Sequence, residues 1–228
     1  MVERIEAALA AFARGEMVVV VDDEDRENEG DLIMAAERVT PEAIAFMVRY
    51  TSGLVCVPLP GRRLDALEIP LMVPANTEAM RTAFTVSVDA RRGTTTGISA
   101  ADRAATIRAL VDPSTRPDDL ARPGHIFPLR YHPGGVLARR GHTEAAVDLA
   151  RLSGLVPGGV LAEVTNPDGT MARRPQLEHF AAEHRLVLIT IDDLVAYRRQ
   201  RDAPVKRPAA SRPPTPVGEL AAHASSAR

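Results

Sequence analysis

At 228 residues the chain is long for one domain and short for two, since domains run roughly 100–200 residues, and it predicts one substantial core with appendages. Hydrophobic residues at 45% and charged residues at 25% exclude wholesale disorder and a fibrous repeat, and no apolar run reaches the roughly 18 residues of a membrane span. The net charge of −2 is unevenly spread: from Arg198 onward there are seven Lys/Arg against two Asp/Glu, leaving an acidic body of 21 basic and 28 acidic residues that does not suit a nucleic-acid groove.

Val2, Ile5, Leu9 and Phe12 share one helical face ahead of Gly15, so the chain opens with a predicted amphipathic helix. Its alternation of charged and apolar residues is unlike a signal-peptide core, and the protein is expected to be soluble and cytoplasmic, with no membrane or nucleic-acid partner. Met17–Val21 is a β-branched run with the character of a buried strand. Thr40 before Pro41 and Glu42 predicts a helix start, with Ile44, Met47 and Val48 on its inner face. Leu54–Val57 and Phe84–Val88 are further strand candidates. Ser99 three residues before Asp102 has the spacing of a capping arrangement for a helix to about Leu110. Val136–Ala138 is expected to be extended, followed by a helix from His142 to Ser153 that Gly154 ends. A strand over Val160–Thr165, a turn at Asn166–Gly169, a helix near Gln176–His184, a strand over Leu186–Ile191 and a last helix to Arg199 complete the order. Strands and helices mix without a strict βαβ rhythm, which predicts a single α/β (α+β) domain over residues 1–200. Residues 201–228 are rich in proline and alanine and poor in large apolar side chains, the composition of a flexible tail.

Chemistry concentrates in a few places. Asp22-Asp-Glu-Asp-Arg-Glu-Asn-Glu-Gly-Asp31 places seven carboxylates in ten residues. It reads either as a solvated acidic loop or as a collection of hard oxygen ligands, and the apolar runs on both sides anchor its backbone. If extended, Glu27, Glu29 and Asp31 point to one face. Arg139-Arg-Gly-His-Thr-Glu144 opens a predicted helix, where free N–H groups and the dipole favour an anion and an arginine and a threonine hydroxyl sit beside them. His142 in the same turn suits either a metal ligand or a capping surface histidine. Gly93–Ser99 is a glycine- and threonine-rich loop before another helix start, a pattern ordinary turns share. Glu163 interrupts an otherwise apolar strand, as a functional group or as an edge-strand surface carboxylate. His125, between prolines, suits an oriented acid or base, or a satisfied core histidine. Cys56 is the only cysteine, which excludes intrachain disulfides and a multi-thiolate zinc site.

Taken in order and spacing, the acidic run, Thr-Thr-Gly-Ile-Ser-Ala-Ala-Asp-Arg, Arg-Pro-Gly-His-Ile-Phe-Pro-Leu-Arg, Gly-His-Thr-Glu-Ala and the Glu163 strand resemble the 3,4-dihydroxy-2-butanone 4-phosphate synthase family of riboflavin biosynthesis, across about residues 3–198. The resemblance implies a mixed sheet flanked by helices and a homodimer with active sites at the subunit interface. It implies a lyase that converts D-ribulose 5-phosphate to formate and L-3,4-dihydroxy-2-butanone 4-phosphate with Mg²⁺ or Mn²⁺, two ions per site. It assigns Glu27 and His142 to the metal; Arg26, Glu27, Asp31, Arg139, Arg140, Gly141, His142, Thr143 and Glu163 to the substrate; and His125 and Glu163 to acid/base catalysis. Asp22, Glu29, Cys56, Thr95 and Glu144 would line the site. Arg140 stands where the family often has a small residue, so its side chain is expected to point outward. The alternatives are another metal-dependent sugar-phosphate isomerase or aldolase, which formate release separates, and a non-catalytic acidic module, which would bind no Mg²⁺. The tail around Val205–Leu220 resembles a degraded start of GTP cyclohydrolase II. That enzyme needs a zinc held by three cysteines, so its activity is not expected here.

Overall fold

The computed structural model describes residues 1–202 and two short strands, Pro214–Thr215 and Gly218–Glu219, that pair antiparallel. The expected tail otherwise lies outside the described residues. A seven-stranded mixed sheet holds β1 (Val18–Val21), β2 (Gly30–Ala35), β3 (Cys56–Pro60), β4 (Val88–Ala90), β5 (Leu120–Tyr131), β6 (Gly159–Glu163) and β7 (Val187–Thr190), in the order β4-β5-β3-β6-β2-β1-β7. Pairs β3/β5 and β1/β7 are parallel and the other neighbours antiparallel.

Strand alternation divides the core in two. Val18, Val20, Ile33, Cys56 and Leu161 face a layer formed by α1 (Val2–Ala13), α5 (His142–Leu152) and α7 (Ile191–Arg201), whereas Val19, Val21, Leu32, Met34, Val57 and Val160 face α2 (Pro41–Tyr50), α4 (Ala100–Val111) and α6 (Arg174–His184). Helices on both faces explain why β1, β2 and β3 are buried along their whole length. On the α2 side, Phe46 and Tyr50 meet Phe180 and His184 of α6 edge-on or tilted, at ring separations of 4.8–6.2 Å.

Local signals explain the helix starts. Gly15 takes a positive φ just beyond α1. Thr40 accepts the Ala43 N–H and Ser99 accepts the Asp102 N–H. Asp102 does not complete the expected reciprocal cap, because its carboxylate turns to the preceding loop.

Two expectations need correction. Residues 84–88 are not a continuous strand: Phe84 and Thr85 form isolated bridges and the ladder begins at Val88. Val136–Ala138 is not extended, because positive φ at Gly134 and Gly135 coils Gly135–Leu137 into a 3₁₀ turn. The segment around His125 belongs to β5, whose twelve residues include two prolines and a glycine that disguise a strand. The short helix α3 (Gly61–Ala66) was also not anticipated.

Candidate active site

Between β1 and β2 the acidic run folds into a tight turn, so the shared face that an extended run would have given Glu27, Glu29 and Asp31 does not arise by alternation. Asp22 builds it: Oδ1 accepts the Glu29 N–H at 2.9 Å, and Oδ2 accepts the Glu27 N–H at 3.1 Å and Arg26 Nη1 at 2.8 Å. Asn28 adopts φ 53°, and Arg173, just before α6, donates to the Glu27 and Asn28 carbonyls. Arg26 also bonds Glu27 Oε2 at 2.7 Å.

This turn delivers carboxylates to His142, the first residue of α5. The buried imidazole donates from Nε2 to the Val20 carbonyl at 3.1 Å, which leaves Nδ1 toward Glu27 Oε2 at 3.6 Å and Asp31 Oδ1 at 3.7 Å. Burial disfavours the imidazolium, but the charges of Asp31, Glu27 and Asp22 outweigh it and hold His142 at about 9. The adjacent His142 imidazole, with help from Arg26, keeps Glu27 below the usual carboxylate range. Asp31 is pushed up to about 7, first by burial and then by the charges of Glu163, Glu27 and Glu29, against the pull of His142. Its Oδ1 is buried without a hydrogen-bond partner among the described residues.

Ligand atoms of Asp22, Glu27 and His142 lie within 4.8 Å of one another. Both Asp22 oxygens are already engaged in the turn, so Glu27 and His142 are the better-disposed pair. Hard carboxylate oxygens, an imidazole whose remaining nitrogen is tethered, and an orphaned buried oxygen together fit a divalent cation.

The start of α5 fits an anion. Gly141 is its N-cap and no side chain caps it, so first-turn N–H groups are available. Glu144 is almost fully buried; it accepts Arg139 Nη1 at 2.7 Å and the His132 N–H at 3.1 Å. A Cβ on Gly141 would come within 2.4 Å of Arg139 Nη1 and 2.9 Å of Glu144 Oε2, so glycine keeps that pair intact. Arg139 also reaches the Met80 carbonyl and Thr82. Thr143 is buried beside these groups. The Arg140 side chain bonds Asp192 at 2.7 Å and lies 3.9 Å from Asp23 of the acidic turn.

Glu163 completes the acidic cluster. It faces Asp31 across the β2–β6 ladder, and β6 is an interior strand, which excludes the edge-strand reading. Glu29 is raised by burial and then by Glu163. Cys56 lies opposite Leu161 on β3, and its thiol is pushed up by burial and then by Glu163 and Asp31.

His125 and Thr95 belong elsewhere. His125 sits on β5, separated from β6 by β3, and its Nδ1 lies 2.7 Å from Asp89 Oδ2. With its side chain 41% exposed it is no core histidine. Thr95 donates from Oγ1 to Asp102 at 2.8 Å. No hydrogen bond or ion pair joins this group to the Glu27–His142 cluster among the described residues.

Sequence reasoning missed Asp89, Arg173 and Asp148. Asp148 on α5 is buried and accepts Tyr131 Oη at 3.0 Å, the Val136 N–H at 2.9 Å and Arg198 Nη1 at 2.8 Å, bracing the turn that leads to Arg139. Burial and Asp148 together hold the Tyr131 phenol up at about 12. A lone charge at a helical core position was its only sequence signal.

A three-layer α/β fold that gathers carboxylates and a histidine beside an open helix N-terminus has the build of a metal-assisted enzyme for a phosphorylated small molecule. The chain belongs to the 3,4-dihydroxy-2-butanone 4-phosphate synthase family, whose model matches residues 6–197. It is 66% identical over 196 residues to the 3,4-dihydroxy-2-butanone 4-phosphate synthase of Agrobacterium fabrum, covering 86% of this chain and 92% of that one. It is 62% identical over 214 residues to the riboflavin biosynthesis protein RibBA of Salinispora arenicola, spanning 94% of this chain but only 51% of that protein. A crystal structure of 3,4-dihydroxy-2-butanone 4-phosphate synthase in complex with two magnesium ions superposes with a TM-score of 0.83 at 48% identity, over 87% of this chain and 97% of that one. Among the described residues no helix is long and apolar enough to cross a membrane.

Proposed function

We propose that this chain converts D-ribulose 5-phosphate to L-3,4-dihydroxy-2-butanone 4-phosphate and formate, as a cytoplasmic homodimeric lyase holding two Mg²⁺ or Mn²⁺ ions per site. Family membership supplies the reaction. The observation that carries it to this site is the Glu27–His142 pair, with the orphaned Asp31 oxygen beside it and the uncapped start of α5 adjoining. A bound cation supplies Lewis-acid stabilisation of negative charge that develops on adjacent sugar oxygens.

The residues divide the remaining work. The N–H groups of His142 and Thr143 and the Arg139 guanidinium receive the phosphate, giving remote binding energy that fixes the sugar while protons move. Arg26 and Asp31 contact the sugar, and Arg140 stands at the rim of the site, its guanidinium between Asp23 and Asp192. Losing one carbon as formate from a ketose phosphate runs through enediol species, so separate acid/base groups are required. Glu163 acts from the cluster and His125 from the β4–β5 edge. The placement of those groups on different strands with β3 between them, together with the family's interface active site, supports a dimer in which His125, carried beside the Gly93–Ser99 loop, serves the partner's site.

The test is formate release from ribulose 5-phosphate by the purified full chain, with and without a chelator. Isomerised or cleaved products without formate would overturn the reading.

A further inference from the structure

The geometry points to Asp89 as the positioning residue of His125, fixing the imidazole as its Nδ1–H tautomer so that Nε2 is the atom that exchanges protons. This rests on the reading of His125 as an acid/base group, and goes beyond it by assigning the tautomer and its cause.

Four observations converge. First, the β4–β5 register jumps between Val88↔Ile126 and Asp89↔Ala121, so residues 122–125 leave the ladder as a bulge, a device that re-aims a side chain. Second, the bulge is seated tightly on β4: a Cβ on Gly124 would stand 2.1 Å from the Val88 carbonyl carbon and 2.3 Å from Asp89 N, and the Gly124 N–H donates to Ser87 Oγ at 3.1 Å. Third, Asp89 holds His125 twice, Oδ1 accepting the backbone N–H at 2.9 Å and Oδ2 meeting Nδ1 at 2.7 Å. Fourth, the Gly93–Ser99 loop covers this contact. Gly97, at φ 92°, comes so close that a Cβ would lie 2.1 Å from Asp89 Oδ2 and 2.7 Å from His125 Nδ1. That loop is held by Asp102, which accepts the Thr95 and Gly97 N–H groups and the Thr95 hydroxyl.

A carboxylate only accepts hydrogen bonds, so the shared proton sits on Nδ1. Nε2 is left to gain or lose one. The Asp89 side chain is 13% exposed against 41% for His125, so the orienting partner is shielded while the ring remains reachable.

The experiment is nitrogen-15 NMR of histidine rings in the uniformly labelled full chain, with His125→Gln identifying the His125 signals. In the neutral ring, wild type should show the Nδ1–H pattern; an Nε2–H pattern would overturn the inference. In Asp89→Asn the amide oxygen keeps the backbone contact while its NH₂ faces Nδ1, so the ring should switch to Nε2–H. Formate release should then fall roughly 10²- to 10⁴-fold in kcat, with KM changed far less. An unchanged tautomer in that variant would overturn the inference. A switched tautomer with undiminished turnover would leave Asp89's positioning role standing and remove His125 from the proton transfers. If Asp89→Asn does not fold, the wild-type spectrum decides.

Discussion

Asp31 and Glu163 stand directly opposite each other across the β2–β6 ladder. Like charges so placed repel, and the Asp31 oxygen beside them has no hydrogen-bond partner among the described residues. The metal-free fold therefore bears a cost that a cation would relieve. Asp31→Asn should stabilise the metal-free protein by about 1 kcal/mol, or ~2–4 °C in Tm, and shrink the further gain on adding Mg²⁺. Thermal melts with chelator and with Mg²⁺ measure both. A lower metal-free Tm for the variant would contradict this account.

The pH dependence of the metal-free protein follows from the same groups. His142 is raised from 6.5 to about 9, so its contribution is complete below pH 6.5 and is lost as pH rises through 9. Asp31 is raised from 3.8 to about 7, so its ionisation costs stability increasingly between those values. Together they make metal-free stability fall from about pH 4 to pH 9, through Asp31 below about 7 and through His142 above 6.5. A metal ligand must be the neutral imidazole, so Mg²⁺ binding should release a proton and strengthen toward pH 9. Calorimetry at pH 7 in two buffers of different ionisation enthalpy should give different apparent heats, and equal heats would rule out the release.

Glu27→Gln and His142→Ala should each abolish formate production, because each removes a metal ligand. Glu163→Ala and His125→Ala should suppress turnover while leaving metal binding largely intact. Mg²⁺ titrations of the four folded variants separate the groups. Loss of binding in either of the last two would move that residue into the metal shell.

A shared site predicts complementation. Glu27→Gln and His125→Ala homodimers should both be inactive, but in a mixed two-fold dimer one of the two sites keeps both groups. Random reassociation should restore about a quarter of wild-type activity. No recovery from mixtures shown to exchange subunits would place His125 and Glu27 of one chain in one site.

Truncation after Asp202 should preserve folding and formate release. Truncation before Arg198 removes the cation that neutralises buried Asp148 and should cost about 3 kcal/mol. Denaturant melts of the two shortened chains decide, and equal stability would show that the Arg198–Asp148 pair adds nothing.

The sequence was most legible where one residue type served one purpose. The β-branched run of β1, the caps at Thr40 and Ser99 and the glycine after α1 read directly. The carboxylate run and the α5 start were recognisable because their charge density has few ordinary uses. The turn's shape was not, because it depends on Asp22 folding back on two N–H groups and on Arg173 from a distant helix. β5 was hidden by the residues that make its bulge, and Asp89 and Asp148 by being single carboxylates whose charged partners, His125 and Arg198, lie 36 and 50 residues away. Pairing across such separations leaves no local pattern.

The tether from His142 to Val20 spans 122 residues of sequence, which bears on the order in which the molecule assembles. β1 gains its parallel neighbour only when Val187–Thr190 has been made, and β2 gains β6 only once Gly159–Glu163 is available. A growing chain thus carries its seven crowded carboxylates through most of synthesis without the strand, the histidine or the Arg173 contact that later confine them. Closing such long loops is slow. The acidic cluster is therefore among the last parts to become ordered, and a nascent chain halted before β6 would hold the acidic run and His142 but neither Glu163 nor the Arg173 contact that closes the turn.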